Sequence, residues 1–403
     1  MIRKYKIKNY GPFKLEEELN FVAHKKSESK EHLLLNNQIL PVISFYGPNG
    51  GGKTSFISSL NFLKNLVSNN SNTWNAIQNF INIDSNEKNI DFYIEFEDEQ
   101  DIFVYELSIS IEGLEQEVFT IIKNKKGKKT NVFNYKENKF HSEYIPNKIN
   151  VNSKNKKSTL LNFFNSILDE IYLKRMMNFI NNILFLNQDN FSSKDIFTPS
   201  NFLNRTAWGV IENEKEKILK IFSDVDMNIK DIIIEKNPLV KEKANNVYFK
   251  KEFSFGEEKI LNGFLESSGT LKFLSLLSHL LYGIKNGALF IIDELDSGLH
   301  TKLLKYIIFL FKNKDINKNN AQLIFSSHDL STLNNEVFRR DEIYFAAINE
   351  SYFSNIISLS DLIIDEDGKK VRNDHNYSKL YLEGKIGYDP YIDYSMKGFK
   401  NEK

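Results

Sequence analysis

The chain has 403 residues, 41% hydrophobic and 13% aromatic, enough for a sizeable core in two domains or in one large domain with an insertion. Lys+Arg and Asp+Glu both total 53, and this zero net charge excludes a global field drawing the surface to nucleic acid or anionic lipid. With no cysteine the chain has no disulfides, thiolate metal sites or cysteine nucleophiles, which suits a reducing, cytoplasmic setting.

The opening stretch, MIRKYKIKNYGPFKLEEELNF, alternates charged and apolar residues like a hairpin with Gly11-Pro12 at its turn, and lacks a secretory apolar core. LPVISFYG is a mostly apolar run ending in glycine, as a buried parallel strand would. KTSFISSLNFLKNLV then carries Phe56, Leu60, Leu63 and Val67 at helical spacing. Past residue 70 the texture changes. IDFYIEFEDEQDIFVYELSIS, EVFTIIKNKKGKKTNVFNYKENKF and HSEYI read as an antiparallel meander with charged turns, and TLLNFFNSILDEIYLKRMMNFINNILFL as helical. Residues 71–255 therefore read as an inserted α+β region.

From residue 256 strands and helices alternate: the helix TLKFLSLLSHLLYGI, the strand ALFIIDE, the helix TKLLKYIIFLFKN, and the strands AQLIFSSHDL and DEIYFAAI. Such alternation implies a parallel sheet with helices on its faces, joined across the insertion by the first strand, loop and helix. The divisions are 1–70 and 256–350 for one α/β domain, 71–255 for the insertion, and 351–403 for a C-terminal extension. LKFLSLLSHLLYGI is too short for a membrane span and carries Lys272 and His279, so no membrane contact is expected.

Gly47-Pro48-Asn49-Gly50-Gly51-Gly52-Lys53-Thr54 fits the P-loop spacing G-x-x-x-x-G-K-[ST] in full, and Ser55 follows it. Backbone amides curl around phosphate oxygens there, and the helix behind adds its positive N-terminal end. Lys53 is expected to reach the β/γ-phosphates of ATP and the Thr54 hydroxyl to hold Mg2+. The strand ALFIIDE delivers two carboxylates at its end, where ligands bind in open α/β sheets. Asp293 is expected on Mg2+ and Glu294 on the attacking water, since phosphoryl transfer needs mainly positioning and charge neutralisation. His328, just past the next strand, is the third catalytic candidate with Lys53 and Glu294. In ESSGTLKFLSLL, Ser267 or Ser268 reads as a helix N-cap; the alternative is that Ser267, Ser268 and Gly269 meet the γ-phosphate of a nucleotide held by a second subunit. The lysine runs at 123–130 and 154–157 read as solvated turns, the first a hairpin tip, with nucleic acid left open as a partner.

These pieces, in this order, resemble the ABC-type ATPases of the SMC/RecF/OLD kind, over residues 1–70 and 256–350. IKNYGPF before GPNGGGKT looks like the family's opening strands, ESSGT like a shortened signature motif, and DELDSGLH like the D-loop. RNDHNYSKLYLEGKIGYDP looks like the C-terminal pattern of the stand-alone anti-phage ATPases of the RloA/AbiL type. The resemblance implies a P-loop ABC-type fold whose two copies close around two ATP molecules, as a homodimer or higher oligomer. It further implies an effector held in check until phage infection. Two departures stand out. No convincing Q-loop appears, Gln188 being the nearest candidate, and only 75 residues follow His328, too few for the Toprim nuclease of OLD proteins. The effector is therefore expected on a separate chain, such as a Toprim or HNH nuclease or a toxin. Two other functions compete: a DNA-repair or chromosome ATPase of RecF/SMC kind acting directly on DNA, and a nucleotide-gated scaffold with little turnover.

Overall fold

The structure, a computed structural model, describes residues 1–24, 33–68, 71–125, 127–145, 157–186, 209–225, 227–236, 245–253, 256–363 and 368–387. In chain order its strands are β1 (Ile2–Lys8), β2 (Glu17–Asn20), β3 (Val42–Tyr46), β4 (Ile90–Asp98), β5 (Asp101–Ser110), β6 (Gly113–Ile122), β7 (Lys129–Lys136) and β8 (Lys139–His141). They continue with β9 (Ile183–Leu186), β10 (Asp231–Lys236), β11 (Asn245–Glu252), β12 (Glu258–Asn262), β13 (Leu289–Ile292), β14 (Gln322–Ser326), β15 (Ile343–Ile348) and β16 (Ser354–Ser358). Among the described residues these form three sheets: an antiparallel one ordered β2-β1-β4-β5-β6-β7-β8, a small one ordered β10-β11-β12, and a mixed one ordered β16-β15-β3-β14-β13-β9.

The mixed sheet explains the sequence texture. Its inner strands β3, β14 and β13 run parallel and are buried along their whole length, which is why they read as unbroken apolar runs. Alternate side chains feed two cores. Ile43 and Phe45 of β3, with Leu289 and Ile291 of β13, face the antiparallel sheet and the helix Lys53–Val67. Val42, Tyr46, Phe290 and Ile292 face the helices Ser268–Lys285 and Thr301–Lys312 on the other side.

The hairpin expected around Gly11-Pro12 forms, with Tyr5 opposite Leu19. The stretch expected as an insertion, 71–255, does not stand apart: it supplies strands to both large sheets. β4 pairs with the free edge of β1, Ile7 opposite Phe92, so the meander extends the N-terminal hairpin into one seven-stranded sheet. β9 joins the parallel sheet beside β13, Ile183 opposite Leu289. The run expected as one helical segment divides into helices Leu160–Ile167 and Ile171–Asn181, followed by β9. Ile183–Leu186 lacks helical spacing and satisfies its backbone on β13 instead. Among the described residues no helix is long and apolar enough to cross a membrane.

Among the side chains that tie the two large sheets together are Gln322 and Glu17. The buried Gln322 carboxamide accepts from Ile2 N at 2.6 Å and donates to Ile2 O and Leu40 O, each at 3.1 Å. Glu17 of β2, 8% exposed, accepts from Ile356 N at 2.9 Å. Burial pushes the Glu17 carboxyl from its ordinary 4.5 up to about 7, against the pull of that N–H. A carboxyl that is protonated more readily folded than unfolded contributes stability fully below the unfolded pKa and loses it as pH rises through about 7. Glu17→Gln keeps an acceptor for Ile356 but cannot ionise. Its stability advantage over the unmodified protein is expected to grow by roughly 2 kcal/mol between pH 5 and pH 8, read by denaturant titration at both values.

Candidate functional site

β3 ends at Tyr46, and the loop Gly47–Gly52 carries the chain into the helix that begins at Lys53. Gly47, Gly50 and Gly52 have φ of +132°, +77° and +103°, a region that side chains disfavour. Sterics add a second demand. A Cβ on Gly47 or Gly51 would lie 2.2 or 2.4 Å from Ala346 O of β15, and one on Gly52 would lie 2.8 Å from Ser354 Oγ. The loop is thus pressed onto neighbouring backbone, and the space at Gly50 is open. Asn49, Gly50 and Thr54 are exposed and Ser55 is half-buried. Lys53 is buried and folds back over its own loop, donating to Gly47 O at 2.7 Å and Pro48 O at 2.9 Å. Burial lowers its pKa, opposed by the charges of Asp293, Glu294 and Asp296.

Those carboxylates arrive from β13, two strands away across β14. The Ser326 hydroxyl at the end of β14 donates to Asp293 Oδ1 and accepts from Glu294 N at 2.7 Å. One buried oxygen thereby fixes the Asp293 carboxylate and the Glu294 backbone at the turn. Glu294 itself sits at φ +49°, a strained setting for a non-glycine residue and one that collects at functional sites. His328 is exposed just beyond β14, and its N–H donates to Asp296 Oδ2 at 3.1 Å. Asp296 Oδ1 is buried and has no hydrogen-bond partner among the described residues.

Ser267, rather than Ser268, is the N-cap: its Oγ accepts from Thr270 N at 3.1 Å. The helix start lies against the turn after Glu294, since a Cβ on Gly269 would be 3.1 Å from Gly298 O and Lys272 Nζ donates to Ser297 O. Lys53, Asp293, Glu294 and His328 therefore stand at the C-terminal ends of β3, β13 and β14, and Ser267–Gly269 adjoin the 296–298 turn. Gln188 lies outside the described residues. Of the lysine runs, 123–125 form the expected tip between β6 and β7, with Lys123 Nζ 5.9 Å from the ring centre of Tyr144 and 5.6 Å from that of Tyr172. Ser326 and Asp296 escaped the sequence reading. Both sit inside motifs read for other residues, and only the register of β13 against β14 reveals their partners.

The donor set suits a magnesium nucleotide. Glycine amides with an open face, an ammonium, a hydroxyl and a carboxylate are hard donors matched to phosphate and Mg2+ rather than to soft metals. The family model described as an AAA domain, putative AbiEii toxin, Type IV TA system, matches residues 42–334, well over half of the chain. The chain belongs to this family. That bears out the resemblance to P-loop ATPases drawn from the motifs. No curated protein matches the sequence of this AAA-domain protein. Among solved structures it is similar to an SMC head domain from Thermotoga maritima, at 13% identity and a TM-score of 0.40, over 89% of this chain and 98% of that one. It is also similar to an ATP-binding cassette in a dimeric post-hydrolysis state bound to ADP and Pi, at 12% identity and 0.29, over 85% and 94%.

Ser326→Ala strips the Glu294 N–H of its acceptor and frees the Asp293 carboxylate. The expected cost is about 1–3 kcal/mol of stability, measured by chemical denaturation.

Proposed function

We propose that this AAA-domain protein hydrolyses ATP with Mg2+ at the P-loop. Two copies close around two nucleotides and reopen after hydrolysis, and that motion controls a separate effector, a nuclease or toxin, in anti-phage defence. One observation carries the reading. Lys53 and the carboxylates of Asp293 and Glu294 share one electrostatic neighbourhood at the ends of three adjacent parallel strands. A P-loop lysine, a metal-binding acid and a water-orienting acid need that proximity, and a chance glycine turn does not.

In this reading Lys53 leaves Gly47 O and Pro48 O for the β/γ-phosphates, while amides of Asn49 to Ser55 hold the phosphate oxygens. Thr54 and Asp293 would hold Mg2+, which when bound neutralises phosphate charge. Glu294 orients and polarises the attacking water, and His328 stands by the terminal phosphate as a hydrogen-bonding group. Ser267, Ser268 and Gly269, on an exposed helix start, serve the nucleotide of the second copy. Anti-phage control is supported by the family description, which names a putative toxin of a toxin–antitoxin system.

Lys53→Ala is expected to weaken ATP binding and lower phosphate release at least 100-fold. Glu294→Gln should lower release by a similar factor while retaining ATP, so that a stable pair accumulates. Phosphate release, nucleotide binding and light scattering on the full chain separate these outcomes. Turnover that survives both substitutions would remove the P-loop from catalysis.

A further inference from the structure

The peptide that carries His328 is held on both sides by the segment that follows Glu294. Asp296, in the turn after β13, takes the His328 N–H on Oδ2 at 3.1 Å. Thr301, the first residue of the helix Thr301–Lys312, donates its hydroxyl to Asp329 Oδ2 at 2.7 Å. The exchange is reciprocal: an acid of the turn accepts from the loop, and an acid of the loop accepts from the helix behind the turn.

Local capping needs less than this. Asp329 opens the short turn Leu330–Thr332, and Oδ1 alone serves it, accepting from Ser331 N at 2.9 Å and Ser331 Oγ at 2.5 Å. Oδ2 is left over by that role and goes to a residue 28 positions away. Nor is Thr301 the cap of its own helix, which is His300, its Nδ1 accepting from Lys302 N at 3.2 Å. Burial works to raise the Asp329 carboxyl, and hydrogen bonds from Ser331 and Thr301 outweigh it, holding the group below its ordinary 3.8. The acceptor facing Thr301 is therefore charged at neutral pH, which strengthens the bond.

The same loop is anchored to the strand that leads into the glycine loop. Ser327 N donates to Phe45 O at 3.0 Å. Thr332 Oγ1 donates to Asp329 O at 2.9 Å. With its one proton spent there, the buried Tyr46 hydroxyl at the end of β3 is the donor to Thr332 Oγ1, also at 2.9 Å. Residues 327–332 are thus seated on β3, and at Thr301 the helix beyond the acids reaches them.

We propose that Thr301 is a positioning residue for His328, acting through Asp329 to set the histidine against the terminal phosphate of a nucleotide held at the P-loop. The inference rests on the nucleotide-hydrolysis reading above. Loss of the contact disturbs the reacting geometry and spares nucleotide affinity, because neither Thr301 nor Asp329 belongs to the glycine loop.

The test is steady-state phosphate release from magnesium ATP by the full chain. Thr301→Val keeps the branched shape without the hydroxyl, and is expected to lower kcat about tenfold with KM within about twofold of the unmodified protein. Thr301→Ala, which keeps a strong helix former at that position, should lose as much, and Thr301→Ser should restore about half of the rate or more. In a His328→Ala background Thr301→Val should cost less than about twofold, since a residue that acts through the histidine has nothing left to place. An unchanged kcat in Thr301→Val, a loss carried by KM, no recovery in Thr301→Ser, or a tenfold loss that recurs without His328 overturns the role. Lys53→Ala separates that failure from failure of the reading beneath it. Turnover that needs Lys53 and not Thr301 removes the Thr301 role alone; full turnover in Lys53→Ala, or none in the unmodified protein, overturns both.

Discussion

The site depends on backbone touching backbone where the glycine loop meets the Ala346 carbonyl. A single methyl group at Gly47 or Gly51 would fill that contact, and the loop would have to lift off β15. Because the loop is seated there, Lys53 enters its helix with its ammonium curled over the loop, in the field of acids from β13. Glycine is thus required twice over, for torsions that few other residues adopt and for an approach no side chain permits. Fifteen helical residues behind the loop, anchored by Phe56, Leu60 and Leu63 in the core, hold it in place.

On the other side of β3 the arrangement is polar and economical. Ser326 serves the Asp293 carboxylate with its proton and the Glu294 main-chain N–H with its lone pair, so one hydroxyl holds the first acid's side chain and the second acid's backbone. Asp296 gives His328 an anchor through the main chain, leaving the imidazole exposed. The candidate catalytic groups are therefore mounted on strand ends and turns of the buried sheet, where neighbouring hydrogen bonds restrict them.

Much of this was legible beforehand for identifiable reasons. A P-loop carries its own spacing, and buried parallel strands announce themselves as apolar runs, so β3, β13 and β14 and their terminal residues could be read directly. What stayed hidden depends on pairing between distant segments. Nothing in IDFYIEFEDE says that its partner is the first strand of the chain, ninety residues earlier, so the region looked inserted when it was continuous with the N-terminal hairpin. The short run ILFL resembled more helix, because four apolar residues carry no period of their own. Ser326 was invisible for a related cause, its importance lying in the register that sets β14 beside β13. Choosing Ser267 over Ser268 as the cap took one hydrogen bond that either serine could have made on paper.

The Gln322 carboxamide has a wider mechanical meaning. By gripping both the amide and the carbonyl of Ile2, and Leu40 as well, it rivets the antiparallel layer to the strand that precedes His328. A bidentate clasp of this kind, sealed from solvent, resists sliding of one layer over the other. The layers are thereby joined at Ile2 by directional bonds that fix their register, and not by apolar packing alone.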